Sequence, residues 1–552
     1  MKKIISLLVF HFLIFMYCFS YSQTSNFHKY QIELTDKHNN LFSLSQPEEY
    51  LSTKSIERRQ KQNILIDSLD LPVSQLYIDS IKSTGVSVLY SSKWLNSITI
   101  FTTDSLALIN INSFPFVKSI KPVGKNLSNH NQGSSVFNSY QKAECSADNY
   151  YGFAFDQINQ VNGQSLHKKG FKGTGMLIAY LDAGFRNVDL LPAFDSLMNR
   201  NGIIATHDFI TGNDSVYEDD NHGAYCLSIV AGNMPGYYVG TAPDADFILL
   251  RTEYGATEYP VEEINWAAGA EFADSIGADI ISSSLGYSVF DDTTFNHSFY
   301  DMDGSTNPSS IAAHIASSRG IIVCNSAGNS GADTTWRFIT APSDADNILT
   351  IGAVDSANNY ALFSGHGPTF DGRIKPDVVA RGASTWFIDT NFGTVREGNG
   401  TSFSCPLIAG LVACLWQSHP DKTNGQIMDA IRRSGSKYFT PDNNIGYGIP
   451  NFAFADLILS GFNEQSLLST DSIIVYPTIF SNELKLNLKS KTNHEILTQF
   501  IDMSGKLTDE TCSNTNIGFN EITLDTINLT AGVYMLKISC GTKFYYEKVI
   551  KI

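Results

Sequence analysis

Ser402 stands in the run Gly400-Thr401-Ser402, directly ahead of the apolar stretch that leads from Phe403 to Gly410. A hydroxyl in that setting is placed to act as a nucleophile. Glycine permits the tight turn, and a helix opening at the serine aims free backbone N–H groups at the space where negative charge builds on a substrate oxygen. Pro406 is read as lying in the first turn of that helix, where proline is tolerated. Three other groups suit the same chemistry. Asp182 closes the apolar run 176–181, which follows Gly173-Thr174-Gly175 and reads as a buried parallel strand. A carboxylate at the carboxyl end of such a strand sits at a ligand crevice. His222 opens the short apolar helix of 221–232, within reach of both an acid and a hydroxyl. Asn329 lies in the glycine-rich loop Ala327-Gly328-Asn329-Ser330-Gly331, which follows the strand-like segment 320–324, and its amide is placed to donate to an oxyanion.

The chain order Asp, His, Asn, Ser separates this constellation from the chymotrypsin and α/β-hydrolase orders. Over about residues 150–455 the sequence resembles the subtilisin-like serine proteases of peptidase family S8. The resemblance implies a triad of Asp182, His222 and Ser402, with Asn329 as the oxyanion amide. Ser284, Leu285 and Gly286, after the strand of 279–281, resemble the segment that pairs with substrate backbone. It also implies peptide-bond hydrolysis through an acyl-enzyme with no cofactor in the chemistry, leaving room for structural calcium. Ala183, Ala224 and Leu407 depart from the family's usual Ser or Thr, Thr, and His. None of the three removes a reacting group, but lost hydroxyls loosen the support of Asp182 and His222. The competing readings are a weak or inactive surface scaffold on the same fold, and an adhesin that uses the C-terminal sandwich.

The elements that must position these residues point to an exported chain of several domains. Its 552 residues carry 38 Lys plus Arg against 55 Asp plus Glu, a formal charge of −17. That balance argues against nucleic acid and anionic membrane as partners. Lys2-Lys3, an apolar run over 4–19 and the small-residue pattern Ser20-Tyr21-Ser22 read as a signal peptide cut after Ser22. Of eight cysteines, Cys18 lies in the leader. The remaining seven, an odd number without C-x-x-C spacing, argue against zinc and leave disulfide pairing open.

The expected architecture is α/β, a doubly wound parallel sheet preceded by a small α+β domain and followed by a β-sandwich. The expected division is a signal peptide over 1–22, an inhibitory prodomain with its linker over 23–145, the catalytic domain over 146–459, and a C-terminal sandwich over 472–552. Alternating strands at 30–34, 86–90 and 97–101, with helical stretches at 53–63 and 72–84, build the prodomain. Residues 126–149 and 460–471 read as polar linkers. Asp291, Asp292, Asp301 and Asp303 form an acidic insertion that suggests a calcium site. It lacks the EF-hand pattern, since Thr306 and Ala312 replace its Gly and Glu.

Alternating strands at 473–477, 484–488, 521–524 and 533–538 make up the last domain. Its landmarks are Val475-Tyr476-Pro477, Asp502-Met503-Ser504-Gly505-Lys506, Leu529-Thr530-Ala531-Gly532-Val533-Tyr534 and the terminal Lys548-Val549-Ile550-Lys551-Ile552. In that order they resemble the type IX secretion sorting domain of Bacteroidota. That resemblance implies export through the periplasm to the surface or the medium. The expected partners are protein or peptide substrates, the chain's own prodomain and the type IX machinery, and not nucleic acid.

Overall fold

The computed structural model describes residues 27–125, 150–460 and 473–552, apart from Pro477, Lys491 and Thr542. The expected signal peptide, the expected linkers apart from Ser460, Cys18 and Cys145 lie outside the described residues.

The first unit is a four-stranded antiparallel sheet with helices on one face. Its elements are β1 (Lys29–Leu34), α1 (Thr53–Lys61), α2 (Gln75–Lys82), β2 (Ser87–Ser92), β3 (Ser97–Phe101), α3 (Ser105–Asn112) and β4 (Val117–Gly124), with the strand order β2-β3-β1-β4. Ile32, Ile98 and Ile100 of the sheet meet Ile81 of α2 and Ile111 of α3 in one core. Ser52 caps α1 by accepting from the Ser55 N–H, and Asp104 caps α3 through Leu106 N–H, each filling a donor that a helix start leaves open.

The second unit is built on seven parallel strands: β5 (Leu177–Asp182), β6 (Ile203–Asp208), β7 (Asp246–Arg251), β8 (Ile280–Ser283), β9 (Ile322–Ser326), β10 (Leu349–Val354) and β11 (Val378–Arg381). Their spatial order is β11-β10-β9-β8-β5-β7-β6, with every pairing parallel. Such strands are covered on both faces, which is why β5 reads as a continuous apolar run and is buried at every residue. Its side chains still alternate. Ile178 and Tyr180 join the core under α4 (His222–Ala231), whereas Leu177, Ala179 and Leu181 join the core under α5 (Val261–Ile276) and α6 (Pro308–Ser318). The long apolar α7 (Thr401–Ser418) lies in the first of these cores, buried from Thr401 through Trp416. After β5 the chain fills one side of the sheet with β6 and β7, then returns to add β8 on the other. Asp182 therefore ends the strand at which the order reverses, where open α/β sheets bind ligands.

The open face of the four-stranded sheet sits on α5 of the second unit. Glu271 of α5 accepts from Ser92 Oγ at 2.5 Å, Lys93 N–H at 2.7 Å and Trp94 N–H at 3.0 Å. Asp274, one turn on, pairs with Arg58 at 2.5 Å, Arg59 at 2.9 Å and Lys93 at 3.1 Å, and is fully buried. Burial opposes its charge, yet Lys93, Arg58 and Arg59 hold the Asp274 carboxyl well below the usual carboxylate range.

The third unit is a sandwich of two sheets. Ile473–Tyr476, Glu483–Ser490 and Gly518–Asp525 form one, and the strands from Ile479–Phe480 to Lys543–Lys551 form a second of five. Leu484, Leu486 and Leu488 from the first meet Phe500, Leu536 and Ile538 from the second in a shared core. The landmark at 502–506 is a hairpin turn, in which Asp502 Oδ1 accepts from Ser504 N–H and Lys506 N–H. Tyr534 donates its hydroxyl to the Thr530 carbonyl at 2.7 Å and pins the last corner.

Candidate active site

β5, α4, the loop after β9 and the start of α7 bring Asp182, His222, Asn329 and Ser402 to one end of the sheet. Asp182 is fully buried, and its Oδ1 accepts from Ala183 N–H at 2.8 Å and meets His222 Nδ1 at 2.7 Å. The bond to Nδ1 leaves Nε2 of the half-exposed imidazole to face the cleft. The approach of α4 depends on Gly223, where a Cβ would stand 2.6 Å from the Gly184 carbonyl and 2.8 Å from Asp182 Cβ. Burial works against a charged imidazole, but the neighbouring Asp182 charge and hydrogen bond outweigh it and raise His222 well above its usual range. Asp182 Oδ2 is buried without a donor among the described residues, next to the position where Ala183 replaces the family's hydroxyl.

Ser402 is the second residue of α7 and 7% exposed. Its Oγ contacts the Ser284 carbonyl at 3.5 Å, and among the described residues it makes no hydrogen bond to His222. Pro406 is the sixth residue of this helix, in its second turn and not its first. Lacking an N–H, it leaves the carbonyl four residues back, that of Ser402, without a helical donor. Ser284 Oγ donates to that oxygen at 3.0 Å and Cys226 Sγ at 3.2 Å. Cys226 lies one turn after His222, its sulfur 4.0 Å from Nδ1, and burial pushes its thiol up and keeps it neutral. Cys226 carries no motif of its own in the sequence, and its i, i+4 spacing from His222 is the signal that places it at the site.

Asn329 follows Gly328, whose φ of +95° suits glycine. Its Oδ1 accepts from Thr401 N–H at 2.8 Å and Thr401 Oγ1 at 3.0 Å. Because Thr401 N–H must meet an acceptor, this contact fixes the amide orientation and leaves Nδ2 free to donate. A Cβ on Gly400 would stand 3.7 Å from Asn329 Nδ2 and 3.6 Å from Ser402 N. Glycine thus keeps open the space between two N–H donors.

Ser284 is buried and ties to Ser402, Leu285 is half-buried and Gly286 is exposed, so the three form one wall beside the serine. The opposite wall begins at Thr252, whose N–H donates to the Asp182 carbonyl at 2.9 Å. It passes Gly255, where a Cβ would be 2.9 Å from Asp220 Oδ2. The acidic insertion does not converge. Asp292, Asp301 and Asp303 each cap their own turn, through Thr294, Ser298, and Ser305 with Thr306. Cys226, Cys324, Cys405, Cys414 and Cys512 are free thiols.

A parallel sheet with an acid, an imidazole, a helix-borne serine and an amide at its reversal point is the arrangement of a subtilisin-like α/β fold, distinct from that of the α/β-hydrolases. The subtilase family profile matches residues 173–448, and the chain belongs to that family. The Peptidase S8 propeptide domain of Bacteroidota matches residues 29–138, and the secretion system C-terminal sorting domain matches residues 474–552. Serine protease AprX of Bacillus subtilis (strain 168) is 30% identical over 316 residues, which cover 52% of this chain and 66% of AprX. Subtilisin Savinase of Lederbergia lenta is 27% identical over 300 residues, 53% of this chain and 95% of that protein. Among solved structures, MycP1 from the ESX-1 type VII secretion system is 21% identical, covers 59% of this chain and 90% of its own, and gives a TM-score of 0.46.

Proposed function

We propose that the chain is the precursor of a secreted serine endopeptidase that cuts peptide bonds through an acyl-enzyme on Ser402. The observation that carries this reading is the 2.7 Å Asp182–His222 bond beside a helix-borne serine with two N–H donors across Gly400. His222 takes the Ser402 proton as Oγ attacks the carbonyl, then returns it to the leaving amine. Asp182 fixes the tautomer and stabilises the imidazolium. Asn329 Nδ2 and Ser402 N–H hold the oxyanion. Every group is supplied by the chain, and no step needs a cofactor. Covalent labelling of Ser402 by a fluorophosphonate tests the reading, and failure to label the processed protein would favour an inactive scaffold.

Asn329→Ala should lower kcat by about 10²–10³-fold with little change in KM, since its bond forms mainly in the transition state. Steady-state kinetics on a fluorogenic peptide check this, and an unchanged kcat would place Asn329 outside the oxyanion site.

The first unit acts as an inhibitory prodomain that also assists folding. The buried Asp274 cluster supports this, because it joins prodomain cations to a protease helix. In the full chain carrying Ser402→Ala, Asp274→Ala should cost about 3–5 kcal/mol, because it removes the buried ion-pair partner of Arg58 and Lys93 and leaves Arg59 with Asp70 alone. Urea unfolding measures the loss, and a change below about 1 kcal/mol would reduce the cluster to a surface contact.

The sandwich directs export through the periplasm to the type IX machinery, leaving the enzyme on the surface or in the medium. Deleting residues 472–552 should leave a folded protease inside the periplasm, because that sandwich has its own core. Fractionation of host cells by fluorophosphonate labelling reads the outcome, and normal external activity would remove the sorting role.

A further inference from the structure

The strand end beside Asp182 carries a buried charge that the proposed mechanism does not use. Arg251 closes β7, in register with Asp182 at the end of β5 on one side and with Asp208 at the end of β6 on the other. It is 3% exposed. Its Nε donates to the Ala183 carbonyl at 3.0 Å, and its Nη1 donates to Asp208 Oδ2 at 2.9 Å and to Asp219 Oδ2. Asp208 is buried and held in place, since it also accepts from Ile210 N–H at 2.7 Å and Thr211 Oγ1 at 2.6 Å. One guanidinium thus touches the residue after Asp182 and a loop residue just ahead of His222.

Those two loops carry the acid and the imidazole. Phe185 N–H, Arg186 N–H and Asn187 N–H donate to the carbonyls of Val216, Asp220 and Tyr217, so the turn after Asp182 and the approach to His222 are laced together. Gly184 allows the contact, because a Cβ there would stand 2.7 Å from the Asp220 carbonyl oxygen. Asp220 Oδ1 in turn accepts from His222 N–H at 2.8 Å and sets the start of α4. These bonds fix the loops to each other, and Arg251 adds the tie to the sheet. Its neighbours extend that tie: Thr252 N–H holds the Asp182 carbonyl, and Glu253 accepts from the hydroxyl of Tyr287, the residue after Gly286 on the opposite wall.

Asp182 depends on such support. Ala183 offers no hydroxyl and Asp182 Oδ2 has no donor, so among the described residues the carboxylate is held only by His222 and by Ala183 N–H. Arg251 grips the carbonyl of that same alanine. A buried ion pair adds little net stability, whereas hydrogen bonds from a planar guanidinium fix direction.

We propose that Arg251 is a positioning residue of the proteolytic site, clamping the loops of Asp182 and His222 to the sheet and so setting the 2.7 Å bond between them. The assignment rests on the protease reading.

The test uses processed enzyme from the full chain, calibrated by fluorophosphonate titration. Arg251→Met keeps the stem and removes the donors. It should lower kcat by about 10–100-fold, since misplacing reacting groups by about 1 Å costs turnover on this scale, while KM stays nearly unchanged. Fluorophosphonate labelling should slow by the same factor, and the downfield proton resonance of His222 Nδ1 should shift or broaden. Arg251→Lys keeps the charge opposite Asp208 but gathers its donors at one point, and should recover only part of kcat. Should Arg251→Met strand Asp208 and fail to fold, the pair Asp208→Asn with Arg251→Met removes both charges, and Asp219→Asn cuts a single arm. Both should lower kcat at nearly constant KM, the second less than the first.

Parent enzyme that does not titrate overturns the protease reading itself. Parent enzyme that titrates, beside folded Arg251→Met with unchanged kcat, overturns the clamp and leaves the protease reading intact. A loss confined to KM, or a fall in kcat with an unmoved His222 resonance, makes Arg251 a residue of the fold alone and also overturns the proposal. Full activity in Arg251→Lys overturns it too, because a point charge would then suffice.

Discussion

Ser402→Ala should lower kcat by about 10⁶-fold, the loss recorded for the nucleophile of subtilisin itself, and should leave the precursor uncut. The effect is this large because the hydroxyl is the one group that makes and breaks covalent bonds in the proposed cycle. Residual turnover above water would come from the oxyanion donors and binding alone. The substitution removes one oxygen from the second residue of a helix whose next fourteen residues stay buried, so the fold should persist. Mass spectrometry of the secreted product and turnover of a fluorogenic peptide read the result. A pure variant that still processes its prodomain would move the nucleophile elsewhere.

Asp182→Asn should reduce kcat by about 10⁴-fold, because an amide next to Nδ1 favours the wrong imidazole tautomer. It should also move the pH profile. The reaction needs neutral His222, and Asp182 raises the imidazole well above its usual range. In the parent enzyme, activity should therefore rise with pH and reach its plateau only on the alkaline side. Without the carboxylate, burial is left to act, the imidazole deprotonates at lower pH, and the acid limb shifts down. A pH series of kcat/KM on both proteins checks the two effects separately. A lowered plateau with an unmoved limb would mean that another group sets the titration.

Much of this arrangement was legible in the sequence because chemistry and position coincide. Asp182, His222 and Ser402 each sit at the end of an apolar run, and such runs mark covered strands and core helices. β3 is found at Ser97–Phe101 as expected, and α1 stops two residues short, at Lys61. The prodomain's third helix and fourth strand escaped notice. Ser105–Asn112 leaves the apolar Leu106 and Ile109 exposed among its polar residues, so no polar face stands out, and Val117–Gly124 mixes lysines with apolar residues because one side is exposed. Long-range pairings were invisible for a different reason. No local pattern tells that Glu253 meets Tyr287, or that Arg58 and Arg59 reach Asp274. The acidic insertion misled in the opposite direction, since Asp292, Asp301 and Asp303 are turn caps.

Pro406 sends the Ser402 carbonyl out of the helix, and a wall residue and the helix bearing the imidazole both take hold of it. One oxygen atom is thus a common hinge pin for substrate wall, nucleophile and base. Mutational changes in this cleft should travel together: a substitution made to widen the wall at Ser284 would also shift the serine's own backbone. Retuning which peptides the cleft accepts, without altering how fast it acts on them, will be easier from Leu285 outward than from Ser284 inward.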